Sequence, residues 1–495
     1  MRWCVRIWLA AVVACVASGA CSSRDGGGTL AAVRERGVLT YGADLAGGEP
    51  YIYEDPADKS RVIGFEVDIM NALAARLGVR AEMKQFAWQN LVPSLERGDF
   101  DVAMNGLEAT AERADRIRLS QPYFTFAETL AVRAGSPYKT LADLKGKRVG
   151  TLSQTVAHDI LRAQPLEAVV YEGNVEPYLD LEQGRIDAVL LDNIIAQRYG
   201  CTSEHPTIVC LPDDVTRGTY IIGIRKADPE LAAAIDSAIL AMRADGTLEG
   251  ILRHAGLWDA RQTEPPPALA DDSGVRAQAF DADQLQLFLK GAAITLAISL
   301  LAFLIAVPLG ALLAVARVYG GPVAGGLART YIELFRGTPV LLQLYVLYYG
   351  LGPYYSLGPI EAAVLGLGLN YAAYEAEVYR GALLAIPRGQ SEAAKALGLG
   401  TWQALWHVLM PQALRGALPA MTNDFVSMLK DSSLVSVITV IELTKRMTIA
   451  AVDLRGWLVP GLACAALYLA MSLPLSELAR RLERRLARDQ RPHAL

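Results

Sequence analysis

The sequence predicts an exported α/β domain followed by an all-α membrane domain. Between residues 35 and 258, short apolar runs alternate with amphipathic helical patterns, which is typical of strands interleaved with helices. Beyond residue 284, several apolar stretches are long enough to cross a bilayer. The 495-residue chain is 52% hydrophobic with a mean hydropathy of +0.25, so it is too long for one domain and too apolar to be wholly soluble.

Residues 1–20 predict an export signal. They combine an arginine-bearing start, an apolar run from Trp8 to Val16 and small residues just before Cys21. Cys21 is followed by two serines and is a candidate lipid acceptor. The alternatives are simple cleavage after Ala20 and acylation of Cys15.

The exported domain is predicted over residues 30–260. A strand at Val38–Gly42 leads to a helix at Glu66–Leu77. Further strands are predicted at Val102–Met104, Arg148–Leu152, Ala168–Tyr171 and Ala188–Leu191. This alternation indicates an α/β fold with mostly parallel sheets.

Charge and cysteine content exclude several functions. The net charge of −5 is small for this length, so no nucleic-acid partner is expected. No C-x-x-C spacing occurs, so neither a metal site nor a redox site is expected. Cys201 and Cys210 bracket a polar loop in the exported part, where disulfides persist, and we predict that they pair. Cys464 lies in an apolar span and is predicted to be a packing residue.

A hydrophilic linker over residues 261–283 precedes the membrane domain, which is predicted over residues 284–480 with a basic tail at 481–495. Five spans are predicted, at Gly291–Ala316, Gly337–Ile360, Ile360–Leu384, Leu418–Leu443 and Gly456–Ser476. Glu377 and Arg380, three residues apart in the third span, are expected to pair. An odd number of spans places the two ends on opposite sides of the membrane.

Basic residues predict the orientation. They concentrate after the first span, between the third and fourth spans and in the tail, and are absent between the second and third spans. By the positive-inside rule these basic segments face the cytoplasm, so the exported domain lies outside. Lys445, Arg446 and Arg455 then fall outside, against the rule.

Residues 389–411 form a polar, helix-forming segment between the third and fourth spans. Glu392, Ala393 and Ala394 are followed by Gly398. Alanines let a helix lie close in a groove of another protein, and a glycine permits a sharp turn or a close approach of the backbone. The alternative is an ordinary loop rich in alanine and glycine.

The sequence motifs on either side of this segment favour a docking helix. With ELFRGTP at 333–339, AYEAEVYRG at 373–381 and KDSSLVSVI at 430–438, it resembles the EAA coupling loop of ABC importer permeases of the polar amino acid branch. The resemblance implies that Glu392, Ala393, Ala394 and Gly398 belong to a cytoplasmic helix that contacts a separate ATPase.

The exported part carries a second resemblance. The segments LTYGAD, GFEVDIMNALAARLG, WQNLVPSLERGDFDVAMNGLEATAERA, LKGKRVGTLS, LEQGRIDAVLLD and MRADGTLEGILRHAGLW follow the pattern of type II amino acid-binding proteins of ABC importers. Those proteins have two α/β lobes, joined by two crossings, with the ligand in the cleft. The resemblance implies crossings near residues 132–135 and 219–223.

The resemblance also implies residues for amino acid recognition. Arg113 matches the arginine that clamps the ligand α-carboxylate, and Asp192 matches the aspartate that binds the α-ammonium. Trp88 falls where side chains cover the ligand. The alternatives are a solvated arginine at a helix start, an aspartate that caps a helix and a tryptophan in the core.

Further ligand contacts follow from the same resemblance. Gly106 falls where a backbone group contacts the ligand, and Thr155 and the Val156 amide fall on the second-lobe loop. Asp44, after a strand, faces the variable side-chain pocket and weakly favours an amide or cationic side chain.

Two positions depart from the family pattern. Glu108 stands where serine or threonine is usual, so it is either a second ammonium partner or a surface glutamate. Gln154 stands where a glycine is common just before Thr155, which alters the anion-binding turn. Glutamine, glutamate, basic and other polar amino acids therefore all stay candidate ligands.

These features predict ATP-driven import of a polar amino acid by a multi-pass inner-membrane protein. No GxxxxGK[ST] loop occurs, so ATP binds a separate ABC ATPase dimer and this chain carries no cofactor. One permease makes half a pathway, so a second copy is expected, as a homodimer.

Two other functions compete with this prediction. One is an amino acid-gated channel or receptor, but such channels insert their spans between the lobes, whereas here the lobes end before the first span. The other is an enzyme on a binding-protein fold, but no nucleophile with its base is evident.

Overall fold

The computed structural model describes residues 29–202, 205–269, 280–352, 354–355, 357–454 and 456–489. The predicted signal, Cys21, residues 270–279 of the linker and the end of the basic tail lie outside these residues. The described chain forms two compact units. Unit 1 holds residues 29–126 and 217–269, and unit 2 holds residues 127–216 and 280–489. Unit 2 therefore contains part of the exported domain together with the membrane domain.

The strands of the exported domain are short. They are β1 (Val38–Ala43), β2 (Tyr53–Glu54), β3 (Val62–Ile63), β4 (Arg80–Gln85), β5 (Val102–Ala103), β6 (Arg118–Leu119), β7 (Phe124–Arg133), β8 (Arg148–Leu152), β9 (Glu167–Tyr171), β10 (Ala188–Asp192), β11 (Ile208–Tyr220) and β12 (Gly223–Ile224).

The helices of the exported domain alternate with these strands. They are α1 (Thr29–Arg36), α2 (Phe65–Leu77), α3 (Leu91–Arg97), α4 (Ala111–Arg116), α5 (Val156–Arg162), α6 (Glu176–Glu182), α7 (Asn193–Ile195), α8 (Pro229–Ala244) and α9 (Thr247–His254).

Unit 1 is built on a five-stranded sheet in the order β4-β1-β5-β12-β6. β1 pairs in parallel with β4 and β5, and β12 pairs antiparallel with β5 and β6. All six residues of β1 are buried, as expected for a central strand covered on both faces. The helix α2 buries Ile69, Met70 and Leu73 along one side and ends at Gly78, whose φ of +76° suits glycine.

The exported part of unit 2 has its own five-stranded sheet, in the order β11-β7-β10-β8-β9. The boundary between the units falls at 126/127 within β7 and at 216/217 within β11. Both points lie a few residues before the crossings predicted at 132–135 and 219–223, which stay predictions. Cys201 and Cys210 form a disulfide in this part, with Cα atoms 5.7 Å apart.

The membrane domain is helical. Its helices are α10 (Ala282–Tyr319), α11 (Gly321–Gly337), α12 (Val340–Tyr345), α13 (Pro359–Ala385), α14 (Arg388–Ala396), α15 (Thr401–Ala404), α16 (Met410–Asp431), α17 (Leu443–Asp453) and α18 (Leu458–Asp489). Wider π-helical turns extend α12 through Val346–Gly350 and join α15 to α16 through Leu405–Leu409.

Within the described residues, two helices are both long and apolar enough to cross a membrane, α10 and the Leu458–Arg481 part of α18. The helix α13 closely follows the predicted third span but carries charges, and α16 covers only part of the fourth. The bounds predicted for the second span, Gly337–Ile360, are wrong. Its helix begins only at Val340, after the non-helical Thr338 and Pro339 that follow α11, and ends at Gly350. Proline lacks an N–H and so separates the two helices.

The centre of the membrane domain is the contact between α10 and α13. Small side chains let the two helices approach closely, as is common where helices pack in a bilayer. A Cβ atom on Gly310 of α10 would lie 2.6 Å from the Glu375 Cβ on α13. The core cluster here includes the fully buried alanines Ala302, Ala306, Ala362, Ala363 and Ala372 of these two helices.

Candidate functional site

Arg113 and Glu108 form a buried ion pair in unit 1. The Thr110 hydroxyl caps α4 by accepting the Arg113 backbone N–H at 3.2 Å, which fixes Arg113 at the helix start. The Arg113 Nη1 atom donates to the Glu108 carbonyl at 2.7 Å and lies 3.1 Å from Glu108 Oε2. The two residues are 9% and 4% exposed, so neither the solvated arginine nor the surface glutamate is found. The arginine predicted to clamp a carboxylate therefore already holds one in this structure.

Trp88 is fixed beside Arg113. Its backbone N–H donates to Asp44 Oδ2 and its indole Nε1 donates to the Asn105 carbonyl, both at 2.8 Å. The Arg113 guanidinium carbon lies 5.4 Å from the ring centroid, within range of a cation–π contact. Trp88 also packs against the core cluster that contains Leu91. Its packing role is thus observed, and its role as a ligand cover stays a prediction.

Asp44 holds the loop that carries Trp88. Besides the Trp88 N–H, its carboxylate accepts from the Ala46 N–H at 3.0 Å and from Gln85 Nε2 at 2.8 Å. This side chain therefore organises the edge of the candidate site. Its predicted contact with a ligand side chain stays a prediction.

Gly106 is positioned by a buried carboxylate. Its φ is +58°, and its N–H donates to Glu66 Oε1 at 2.7 Å. Glu66 is fully buried and also accepts from the Tyr123 hydroxyl. Burial and the neighbouring Glu66 raise the pKa of Tyr123 well above its usual range. The backbone at Gly106 is therefore held in one conformation, as a ligand-contacting position requires.

Asp192 ends β10 in unit 2. Its Oδ1 accepts the Ile195 N–H at 2.8 Å, so the residue is the cap that starts α7. The register of β10 against β7 places the buried Glu128 opposite Asp192. A helix cap is therefore one role of this carboxylate, and the binding of an ammonium group stays a prediction.

Thr155 and Val156 lie at the start of α5 in unit 2. The Thr155 hydroxyl accepts the His158 N–H at 3.2 Å and donates to the Leu152 carbonyl at 2.9 Å. The preceding Gln154 has a φ of +62°, the left-handed conformation that glycine adopts at no cost. Gln154 therefore stands in a backbone conformation that favours glycine, the residue the resemblance leads us to expect here.

Gln154→Gly is expected to stabilise the exported domain. A left-handed residue other than glycine costs roughly 1–2 kcal/mol, partly offset by the greater freedom of glycine in the unfolded chain. The expected net gain in the free energy of unfolding is about 0.5–1 kcal/mol, measured by urea unfolding of the full chain in nanodiscs. Gln164→Gly is the control, because Gln164 is exposed and has an ordinary backbone, so this change should destabilise. Equal destabilisation by both changes would contradict the role of the left-handed turn.

His158 is expected to make this part of unit 2 sensitive to acid. Burial, aided by Arg162 and Lys445, lowers the pKa of His158 to about 4 from an ordinary 6.5. The unfolded chain thus binds the proton first, so stability is full above pH 6.5 and falls as the pH drops towards 4. The loss should reach about 3 kcal/mol, measured by unfolding at a series of pH values. His158→Gln should flatten the profile over this range, and an unchanged slope would contradict the prediction.

A cavity of about 520 Å³ lies within the membrane domain. Its lining includes Arg336 at the end of α11, Asn370 and Tyr374 of α13, and Asp424 and Asp431 of α16. The Arg336 guanidinium carbon lies 5.3 Å from the centroid of the Tyr374 ring. A cation and two carboxylates thus line one cavity, as the two charges of an amino acid require.

The charge pair predicted in the third span can be compared with the structure. Arg380 Nη2 lies 2.7 Å from Glu377 Oε2, so the predicted pair is confirmed. Arg317 of α10 also pairs with Glu377, with its Nη1 atom 2.6 Å from Glu377 Oε1. In the fourth span, Asp431 accepts from the Tyr371 hydroxyl at 2.7 Å, whereas the adjacent Lys430 is exposed.

The segment around Glu392 is a separate exposed helix, α14. Glu392 and Ala393 are exposed, and Ala394 is buried. The helix ends at Gly398, whose φ of +82° lets the N–H groups of Gly398 and Leu399 reach the carbonyls of Lys395 and Ala394. The predicted sharp turn at Gly398 is confirmed.

Sequence reasoning missed the residues that support this site. Glu66, Gln85 and Asn105 fix Gly106, Asp44 and Trp88 by hydrogen bonds. Glu66 offered a signal, since it is a carboxylate in the first turn of a helix that is otherwise apolar on that face. Gln85 and Asn105 offered none, because their partners are distant in sequence.

Two family profiles match the chain. Residues 41–255 match bacterial extracellular solute-binding proteins, family 3. Residues 306–488 match the binding-protein-dependent transport system inner membrane component.

Curated relatives match the membrane domain. The glutamine transport system permease protein GlnP of Escherichia coli (strain K12) is 40% identical over 206 residues, which cover 41% of this chain and 94% of the relative. The probable amino-acid permease protein YxeN of Bacillus subtilis (strain 168) is 34% identical over 202 residues, covering 40% and 90%. Among solved structures, an ancestral arginine-binding protein bound to arginine matches with a TM-score of 0.41 at 29% identity, covering 44% of this chain and 98% of that one.

Proposed function

This chain belongs to the amino-acid ABC transporter family, as a fusion of a solute-binding domain with a permease domain, and we propose that it drives import of a polar amino acid with a separate ATPase. It is a transporter component and not an enzyme. The observation that carries the proposal is that one chain holds both the buried Arg113 cluster and the exposed helix α14. The first suits recognition of an amino acid, and the second suits contact with an energy-supplying partner.

The binding domain is proposed to recognise the two charges that all amino acids share. Arg113 would take the α-carboxylate and Asp192 the α-ammonium, with Glu108 as a second ammonium partner. The Arg113–Glu108 pair supports this assignment, since ligand binding can exchange one carboxylate on Arg113 for another and free Glu108 for the ammonium. A glutamine-transport permease among the relatives supports an amide side chain as one candidate.

The cavity in the membrane domain is proposed to be part of the transport path. Arg336 would meet the carboxylate of the passing amino acid, and Asp424 and Asp431 would meet its ammonium. Intramembrane charges that line a cavity commonly mark such paths. The path is proposed to be completed by a second permease copy in a homodimer.

The helix α14 is proposed to dock on an ABC ATPase dimer. Large apolar side chains are exposed near it, with exposed fractions of 83% for Leu397, 57% for Trp402 and 55% for Trp406. Exposed aromatic side chains of this kind are typical anchors of protein interfaces. Five spans with the exported domain outside and the C-terminus in the cytoplasm complete the proposed topology.

Calorimetric titration of the full chain in nanodiscs against the twenty amino acids tests the proposal. At least one polar amino acid is expected to bind, and Arg113→Gln should weaken that binding roughly 100-fold or more, as expected for a buried charged contact. Arg116→Gln is the control, because Arg116 lies on the same helix but pairs with Glu96 near the surface. No binding by the unaltered chain would overturn the substrate assignment.

A further inference from the structure

Unit 2 brings the exported domain into direct contact with the permease. The contact involves Glu172, Asp180 and Arg185 of the exported part and Tyr348 and Lys445 of the permease, a set that we call the docking seam. Tyr348 follows α12 and Lys445 is in α17. Lys445 follows the predicted fourth span on the side that basic residues assign to the outside, and Tyr348 lies near Gly350, where the helical extension of α12 ends.

The centre of the docking seam is buried and polar. Asp180 of α6 accepts from the Tyr348 hydroxyl at 2.9 Å and from Arg185 Nη1 at 2.9 Å. Arg185 Nη2 donates to the Tyr348 carbonyl at 3.1 Å, and the Arg185 guanidinium carbon lies 3.9 Å from the centroid of the Tyr348 ring. The side chains of Arg185 and Asp180 are 7% and 2% exposed. One tyrosine of the permease is thus held at its ring, its hydroxyl and its backbone.

The edge of the docking seam explains a basic residue on the unexpected side of the membrane. Lys445 Nζ lies 2.7 Å from Glu172 Oε1, and the lysine side chain is only 5% exposed. Close approach continues at Gly352, where a Cβ atom would lie 2.4 Å from Gln183 Nε2. The positive-inside rule fails at Lys445 because this cation pairs with a carboxylate of the exported domain.

We propose that the docking seam holds the second lobe of the binding domain on its own permease, whether or not an amino acid is bound. The reason is that the contact uses side chains that are costly to separate. If the lobe left the permease, Lys445 would lose the carboxylate of Glu172 and Asp180 would lose the Tyr348 hydroxyl as a donor. Tyrosine and arginine, which meet at the centre of the seam, are also the residue types that contribute most binding energy at interfaces. The inference deepens the proposed function and rests on it for the uptake readout only.

Crosslinking tests the docking directly. The full chain carries Glu172→Cys and Lys445→Cys in a Cys464→Ser background, with a protease site inserted in the linker. A short bis-maleimide is added to membrane vesicles with and without L-glutamine, L-glutamate or L-arginine, and the protease then separates the halves. The two halves should stay joined to a similar extent in every condition, and each single-cysteine variant should separate. Failure to crosslink, or crosslinking lost on addition of any of the three amino acids, would overturn the proposal.

A charge exchange tests the consequence for transport. Lys445→Glu and Glu172→Lys should each lower uptake of the bound amino acid by the native host roughly tenfold, and the double exchange should restore at least about half of it, as expected for one charged pair. Lys139→Glu is the control, since it changes the same charge at an exposed site on the same lobe. Full uptake by the single variants, or a loss in them that the double exchange does not restore, would overturn the role of the seam. If the unaltered chain imports none of the three amino acids, the import proposal fails, whereas the crosslinking result still decides the docking.

Discussion

Asp192→Asn is expected to weaken amino acid binding roughly 100-fold while leaving the fold unchanged. The change removes the charge that would contact the ligand ammonium, and such a contact contributes about 3 kcal/mol of binding free energy. Asparagine is as good a helix cap as aspartate, so the hydrogen bond to the Ile195 N–H is kept. The change therefore separates the cap from the binding of an ammonium group. Calorimetry on the full chain gives the affinity, and thermal unfolding gives the stability.

Asp143→Asn is the matched control for this experiment. Asp143 also serves a cap, accepting from the Thr140 N–H at 2.8 Å, but it is exposed. Its replacement should leave the affinity unchanged. If Asp192→Asn also left the affinity unchanged, the carboxylate would be a cap alone and the ammonium would bind elsewhere.

Gly398→Asp is expected to uncouple transport from ATP hydrolysis. An aspartate at the φ of +82° costs roughly 1 kcal/mol in the turn, and it places a charge beside the exposed Leu397 that is proposed to contact the ATPase. Uptake by the native host should fall roughly tenfold or more, while the affinity for the amino acid stays the same. The complex purified from native membranes should still hydrolyse ATP, but without stimulation by the amino acid.

Gly400→Asp separates the turn from the charge. Gly400 has a φ of −66° and precedes α15, where an aspartate is a favourable cap. It should therefore affect uptake much less than Gly398→Asp does. An equal loss of uptake in both variants would mean that the added charge, and not the altered turn, causes the loss. Normal uptake by Gly398→Asp would contradict the coupling role of the turn.

The sequence was most informative where structure is local. Strand β8 and helix α14 follow from periodicity and end signals within a few residues. The sharp turn at Gly398 needed only a glycine after a helical pattern.

Features that depend on distant contacts were less predictable. The boundary between the units lies inside β7 and β11, where nothing in the local pattern changes. The Arg113–Glu108 pair was not foreseen, because the resemblance assigned both side chains to a ligand. Lys445 gave a real signal, a cation on the outer side, but its partner Glu172 is 273 residues away.

The break between α11 and α12 at Thr338 and Pro339 has a consequence for a chain inside a bilayer. Lipid offers no donors, so carbonyl groups freed by a missing proline N–H need partners from the protein. The Gln343 amide, one turn later, donates to the carbonyls of Phe335 and Thr338 at 3.0 and 3.2 Å. Asn370 Nδ2 also donates to the Phe335 carbonyl, at 3.1 Å, and the Thr338 hydroxyl donates to the Leu334 carbonyl at 2.8 Å. Polar side chains thus take the place of backbone donors where the chain bends beside the charged cavity.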